Sequence, residues 1–241
     1  MSHPLIGRLE RHGPLTDEEK QVLRDITSRT ISFAARENIV LEGSSPTYSS
    51  LIVEGFAIRN NHSLDGKRQI TAFHIPGDFA DLHSFLLQPM DDGVTALTAC
   101  TVAMVAHSDL KEITKHYPYL TRAFWHMTLV DAAVHRAWMT TLGQMEATER
   151  LAHFFCELRD RLDTIGLVQD NSLELPTTQE EMGDAFGIST VHVNRVLQDL
   201  RTQGLITSRG KTLIINDWER LQQVGQYTPD YLHINQKLER D

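Results

Sequence analysis

Apolar residues recur with two different periods along the chain, and the change of period predicts its elements. From Ile31 to about Ser108, short apolar runs alternate with glycine-containing turns, which is typical of β-strands. From Pro118 to about Gly143, apolar residues recur every three or four positions, which predicts one long helix. Strands followed by helices indicate an α+β fold, in which the strands form a barrel or jelly roll of roughly eight strands.

The long helix carries a stripe that is apolar except for Asp131. Its positions alternate steps of four and three, as in the heptad repeat of a coiled coil. The members are Leu120, Phe124, Met127, Asp131, Val134, Trp138, Thr141 and Met145. We interpret this stripe as the seam of a dimer. Burial of the helix against its own barrel would give a similar pattern and is the alternative.

Two short helices joined by a glycine are predicted nearer the C-terminus. Thr178 and Glu181 form a capping box, Gly187 ends the first helix, and Ser189 offers an N-cap to the second. The apolar stripe of the second helix consists of Val193, Val196, Leu197 and Leu200. Its opposite face is polar, so the pair reads as a helix-turn-helix. The second helix of that motif enters the major groove of DNA.

A β-hairpin is predicted directly after this helix pair. Apolar runs at 205–207 and 213–215 flank a turn that carries Arg209 and Lys211, which are placed to meet phosphates. An ordinary solvated turn is the alternative. Helix-turn-helix and hairpin together make a winged helix, and DNA binding becomes the leading hypothesis.

Composition indicates a globular protein, with 41% apolar and 23% charged residues. The net charge of −9 argues mildly against nucleic acid. A DNA-binding protein needs only a local basic face, however, and residues 177–211 hold four basic and four acidic side chains. We therefore expect modest non-specific affinity and a need for dimerisation.

Further observations limit the setting of the protein. The chain contains no run of about 18 apolar residues, and its start lacks the pattern of a secretory signal. Its two cysteines, Cys100 and Cys156, are too few for a disulfide framework. We expect a cytoplasmic protein that does not enter membranes.

The order of these parts resembles the CRP/FNR superfamily of bacterial transcription regulators. Segments in the family's order are 39–43, 51–55, 65–67, 76–79, 98–102, 179–183, 187–189, 193–195 and 204–206. The resemblance implies a sensor barrel with a helical lead-in (1–117), a dimerisation helix (118–145) and a winged-helix DNA-binding domain (146–225). The tail at 226–241 has no readable role.

The resemblance also implies partners and contacts. It predicts a homodimer on a palindromic operator in double-stranded DNA, and a contact with RNA polymerase. The expected DNA-contacting residues are Thr178, Ser189, Thr190, Val191, His192, Asn194, Arg195, Arg209 and Lys211. Val191 is suited to a thymine methyl group, and Arg195 to O6 and N7 of guanine.

The effector is harder to predict, and a regulator that acts without any ligand is the alternative. The segments 80–83 and 90–93 lack the glutamate and arginine that hold the ribose and phosphate in cyclic-nucleotide-binding members, so cAMP binding is not expected. No cysteine precedes Cys100, which excludes an FNR-type cluster, whereas the twelve histidines leave haem open. The candidate effector pocket consists of Asp81, Leu82, His83, Met90 and Asp91. We predict no resident cofactor, metal site or catalytic residue.

Two other readings remain. A barrel enzyme or metal-binding barrel of the cupin type would show a His-x-His pair, and the sequence contains none. A ligand-sensing or scaffold protein whose winged helix binds protein instead of DNA agrees with the acidic balance of the chain. A measurement of DNA binding distinguishes this second hypothesis from that of a transcription regulator.

Overall fold

The computed structural model describes residues 3–240, which fall into two compact units. The first unit runs to Ala132 and takes in the chain again from Ile234, and the second is Ala133–His233. The compact units do not follow the predicted limits at 117, 145 and 225. One boundary, at Ala132, lies within the predicted dimerisation helix, and the predicted tail is divided between the two units. No helix of residues 3–240 is long and apolar enough to cross a membrane.

The helices confirm the main predictions and add two. The α-helices of residues 3–240 are α1 (Pro4–Glu10), α2 (Asp17–Ile26), α3 (His107–His116), α4 (Pro118–Gln144), α5 (Ala147–Asp163), α6 (Gln179–Phe186), α7 (Thr190–Thr202) and α8 (Trp218–Val224). The predicted long helix is α4. The sequence did not predict α1, which is short, or α3, which follows a strand without a side-chain cap at Ala106.

The strands of residues 3–240 form three antiparallel sheets. They are β1 (Thr30–Phe33), β2 (Asn38–Val40), β3 (Tyr48–Glu54), β4 (Ala57–His62), β5 (Arg68–His74), β6 (Gly93–Ala96), β7 (Cys100–Ala106), β8 (Ser172–Glu174), β9 (Ile206–Arg209) and β10 (Thr212–Ile215). The first unit holds the sheets β1-β7-β3 and β2-β6-β4-β5, so seven described strands stand where roughly eight were expected. The second holds the sheet β8-β10-β9, in which β8 adds a third strand to the predicted hairpin.

The sheet β1-β7-β3 is apolar on both faces because it lies between two clusters. Successive strand residues point to opposite faces, so Leu51 joins one cluster and Ile52 the other. The cluster of Leu51 takes in side chains from α1, α2 and the start of α4. The cluster of Ile52 takes in residues of the second sheet, such as Val94. This arrangement fixes the first turns of α4 to the barrel.

The stripe predicted as a dimer seam is instead buried inside the protomer, which corrects that prediction. Leu120, Phe124 and Met127 belong to the cluster of Leu51 in the first unit. In the second unit Val134, Trp138 and Thr141 are also buried. The indole of Trp138 packs against Phe154 and Phe186, and its N–H donates to Glu157 Oε2 at 2.9 Å. Asp131 is ion-paired with Arg59, and Met145 is only partly exposed. A heptad stripe indicates that one face of a helix is buried, but it does not show whether a second protomer or the same chain covers that face.

Candidate nucleic-acid interface

The helix pair α6–α7 begins and ends at the residues that the sequence predicted. The Thr178 hydroxyl accepts from the backbone N–H of Glu181 at 3.2 Å, and Glu181 Oε2 accepts from the N–H of Thr178 at 2.7 Å. Gly187 ends α6 with a φ of 66°, a conformation that favours glycine. The Ser189 hydroxyl accepts from the N–H of His192 at 3.3 Å and caps α7.

The turn between the helices depends on a close backbone approach. A Cβ atom at Gly183 would lie 2.6 Å from the carbonyl oxygen of Ile188, so only glycine fits without movement. Across the pair, the Asn194 amide donates to Gln179 Oε1 at 3.2 Å. These contacts hold α7 at a fixed angle to α6.

The residues predicted to contact DNA are all exposed, while the apolar stripe of α7 is buried. The exposed set comprises Thr178, Ser189, Thr190, Val191, His192, Asn194, Arg195, Arg209 and Lys211. Val193, Val196 and Leu197 pack inward. The Val191 side chain is 64% exposed, which leaves its methyl groups accessible for the predicted contact with a thymine methyl group. Each individual DNA contact stays a prediction.

The hairpin tip lies where the sequence placed it. Strands β9 and β10 pair with Arg209 opposite Thr212, and Gly210 takes a φ of 60° in the turn between them. Arg209 and Lys211 are both exposed and flank this glycine. The tip therefore presents two cations, a composition suited to a phosphate backbone.

A second cluster of polar residues lies in the first unit, around Arg59 of β4. This arginine is only 4% exposed. Its guanidinium contacts Asp131 Oδ2 at 2.8 Å, Asp92 Oδ2 at 3.2 Å and the Ala80 carbonyl oxygen at 3.4 Å. The segments 80–83 and 90–93 contain no arginine or lysine of their own, and the cation beside them, Arg59, comes from a strand that is distant in the sequence. Arg59 and Asp92 were not among the predicted site residues.

The five residues proposed for an effector pocket divide between this cluster and the hydrophobic core. Asp81 is fully buried and accepts hydrogen bonds from the N–H and hydroxyl of Ser50, and burial raises its pKa to about 6. His83 and Asp91 lie close to Asp92. Leu82 packs against the cluster of Leu51, and Met90 belongs to the cluster of Ile52. Leu82 and Met90 therefore pack with the hydrophobic clusters, and the effector pocket itself stays a prediction.

Comparison with known protein families matches both units. The Crp-like helix-turn-helix domain matches residues 149–224, and the cyclic nucleotide-binding domain matches residues 30–117. The chain belongs to the CRP/FNR family. Like its relatives, this CRP/FNR protein is a DNA-binding transcription regulator.

Individual relatives of this CRP/FNR protein are distant but extensive in coverage. The transcriptional activator protein FnrL of Cereibacter sphaeroides is 27% identical over 194 residues, which are 79% of this chain and 77% of FnrL. The nitrogen fixation regulation protein FixK of Bradyrhizobium diazoefficiens is 26% identical, with 74% of each chain covered. Among solved structures, FixK2 from Bradyrhizobium japonicum aligns with a TM-score of 0.73 at 27% identity, covering 81% of this chain and 96% of FixK2.

Proposed function

We propose that this regulator is a homodimer that reads a palindromic operator with α7 of each protomer, under control of an effector-sensitive state of the first unit. An exposed stripe on α4 carries the proposal. At steps of four and three it comprises Trp125, Leu129, Ala132, Arg136, Met139 and Gly143, of which Ala132 is partly buried and the others are exposed. Trp125, Leu129 and Met139 are 67%, 56% and 72% exposed, and large apolar side chains at heptad spacing favour pairing with a second helix.

A two-fold dimer would present two copies of α7 to one face of the duplex. Two-fold symmetry then requires a palindromic site, with half-sites about 34 Å apart. Since the segment from residue 177 to 211 holds equal numbers of basic and acidic residues, one copy would bind weakly. Pairing along α4 would supply the missing affinity. The same proposal includes a contact with RNA polymerase, because relatives such as FnrL are named activators.

The pairing is tested by Leu129→Glu, which places a charge in the exposed stripe. We expect the dimer dissociation constant to rise at least about tenfold in analytical ultracentrifugation, because a buried charge without a partner is costly. The control is Gln144→Glu, at the exposed end of the same helix and outside the stripe. An unchanged dimer in Leu129→Glu would contradict the assigned seam.

Operator binding is tested by fluorescence anisotropy against a selected pool of palindromic duplexes. We expect the wild-type protein to select a symmetric sequence, and the Leu129→Glu variant to bind the same duplex more weakly. If both proteins bound every sequence equally at matched salt, the palindromic operator would be wrong. If wild-type binding became sequence-specific only after addition of a small molecule, that molecule would be the effector.

Cyclic nucleotides are not expected to be that effector. The cation that the structure brings to segments 80–83 and 90–93 is Arg59, and it is already paired with Asp92 and Asp131. A phosphodiester would have to displace these carboxylates from the arginine, and their negative charge would repel it. Titration calorimetry with cAMP and cGMP should show no heat of binding at micromolar concentrations. Micromolar affinity for either nucleotide would contradict the prediction.

A further inference from the structure

Three side chains of metal-ligand type converge in the first unit. His83 lies on a short 3-10 helix, Leu82–Phe85, and Asp91 and Asp92 lie in the segment just before β6. Each offers one ligand atom, and these atoms all lie within 4.8 Å of one another. Asp91 is exposed, whereas His83 and Asp92 are partly buried. The sequence placed His83 and Asp91 in the candidate effector pocket but predicted no metal site, because spacings of eight and nine residues match no common metal motif.

The two oxygens of Asp92 have different surroundings. Oδ2 is 3.2 Å from the guanidinium of Arg59. Oδ1 is buried and has no hydrogen-bond partner among residues 3–240. It faces Nε2 of His83 at 3.7 Å. A buried carboxylate oxygen that accepts no hydrogen bond is costly. Asp92 Oδ1 is therefore an atom whose burial a bound cation would offset.

The distance between Oδ1 and Nε2 fits two ligands of one ion better than a hydrogen bond. Hydrogen bonds between nitrogen and oxygen span about 2.7–3.2 Å, and the observed separation is 3.7 Å. Bonds from a metal to imidazole nitrogen and carboxylate oxygen are about 2.0–2.2 Å. Two such bonds meeting at an open angle separate the ligand atoms by about the observed distance.

Local charge also favours a cation. The single positive charge of Arg59 already faces two carboxylates, Asp92 and Asp131. Asp91 adds a further carboxylate at the exposed side, and buried Asp81 interacts electrostatically with both His83 and Asp92. The carboxylates therefore outnumber the arginine, and a bound divalent ion would offset the excess.

We propose that His83, Asp91 and Asp92 bind a divalent first-row transition-metal ion such as Mn²⁺ or Zn²⁺. The imidazole nitrogen of His83 suits Zn²⁺ and the two carboxylates suit Mn²⁺, whereas Mg²⁺ and Ca²⁺ prefer sites made only of oxygen. Three protein ligands leave coordination positions for water, and the exposed carboxylate of Asp91 gives the ion a path from solvent. The expectation of a protein without a metal site is replaced by this proposal.

The test uses the full-length protein after treatment with a chelator and buffer exchange. Free Mn²⁺ is measured by electron paramagnetic resonance, and Zn²⁺ by competition with a chromophoric chelator. We expect one equivalent per chain at micromolar affinity or tighter. His83→Gln and Asp91→Asn should each weaken binding at least about tenfold, the range seen when groups that support a bound metal are altered. Because Asp91 is exposed, Asp91→Asn should keep the fold, which circular dichroism checks.

The matched control is His62→Gln. His62 forms another histidine–carboxylate pair, with Nδ1 at 4.0 Å from Glu42 Oε2, but that pair is about half exposed. Its substitution should leave affinity and stoichiometry unchanged. Absence of a one-to-one complex at micromolar Mn²⁺ and Zn²⁺ would overturn the proposal. So would equal affinity in the wild type and both site variants, or an equal loss in His62→Gln, since either result places the ion elsewhere.

Discussion

Glu157 is a carboxylate of the second unit that accepts three side-chain hydrogen bonds. It is completely buried on α5. Its carboxylate accepts from Trp138 Nε1 at 2.9 Å, from the Tyr231 hydroxyl at 2.8 Å and from Arg161 Nη1 at 3.1 Å. One charge thus joins α4, α5 and the segment after α8. A cation and two neutral donors thus satisfy the oxygens of this buried carboxylate.

Replacing Glu157 by alanine should lower the free energy of unfolding by about 3–5 kcal/mol. The variant removes one shared acceptor from the Arg161 guanidinium, the Trp138 indole N–H and the Tyr231 hydroxyl. Urea denaturation followed by tryptophan fluorescence measures the loss. The control is Glu219→Ala, an exposed glutamate of α8, which should change stability by no more than about 0.5 kcal/mol. Equal losses in the two variants would show that the network contributes little.

Arg195 is the exposed residue of α7 best suited to read a base. Its replacement by alanine should weaken binding to the specific operator by about 1–3 kcal/mol and relax the preference at one base pair. Arg201→Ala is the matched control, because Arg201 is exposed in the last turn of the same helix, away from its N-terminal end. Anisotropy on specific and scrambled duplexes distinguishes the roles. An equal loss on both duplexes would mean that Arg195 contacts phosphate alone.

At the scale of the element, the helix-turn-helix is sensitive to one atom. Gly183→Ala would set a methyl group 2.6 Å from the carbonyl oxygen of Ile188 in the turn, and backbone cannot move aside cheaply. We expect a loss of about 1–3 kcal/mol in stability and weaker operator binding, measured by thermal unfolding and anisotropy. Glu180→Ala, on the exposed face of α6, is the control. Wild-type values in Gly183→Ala would contradict the close approach.

Local signals explain why this element could be predicted from sequence. The capping box of Thr178, the left-handed Gly187 and the N-cap of Ser189 each act within a few residues of themselves, so the chain encodes them directly. The long helix α4 shows the limit of such signals. Its period and its bounds follow from the sequence, but two heptad stripes run along it, and only the fold shows that the one through Leu120 is internal. The stripe through Leu129 is the exposed one.

The cluster around Arg59 could not be predicted, because its members are far apart in the chain. Arg59, Asp92 and Asp131 come from β4, the segment before β6 and α4. Each has an ordinary sequence context, and no spacing rule connects them. Segments 80–83 and 90–93 show carboxylates and a histidine in the sequence, but not the arginine that pairs with them in the fold. Charge balance at a site is a property of the folded unit and not of a segment.

At the scale of the whole molecule, the last described residues return to the first unit. Leu238 packs against the cluster of Leu51, and its N–H donates to the His12 carbonyl oxygen at 2.8 Å. The guanidinium of Arg240 lies 4.0 Å from the ring centre of Tyr119 and pairs with Glu19. The chain therefore enters the first unit a second time after completing the second unit. The tail, for which the sequence predicted no role, packs against the helices of the first unit through Leu238 and Arg240.

Leu238→Ala should therefore destabilise the first unit and spare the second. A partly buried leucine contributes less than a fully buried one, so we expect a loss of about 1–2 kcal/mol. Hydrogen exchange followed by mass spectrometry locates the effect: amides of α1 and α2 should exchange faster, whereas those of α6 and α7 keep their protection. Glu239→Ala is the control, because that side chain is exposed and only its backbone carbonyl meets Arg122. Faster exchange throughout both units would instead mean that they unfold as a single cooperative body, and unchanged exchange in α1 and α2 would show that the tail contributes nothing to them.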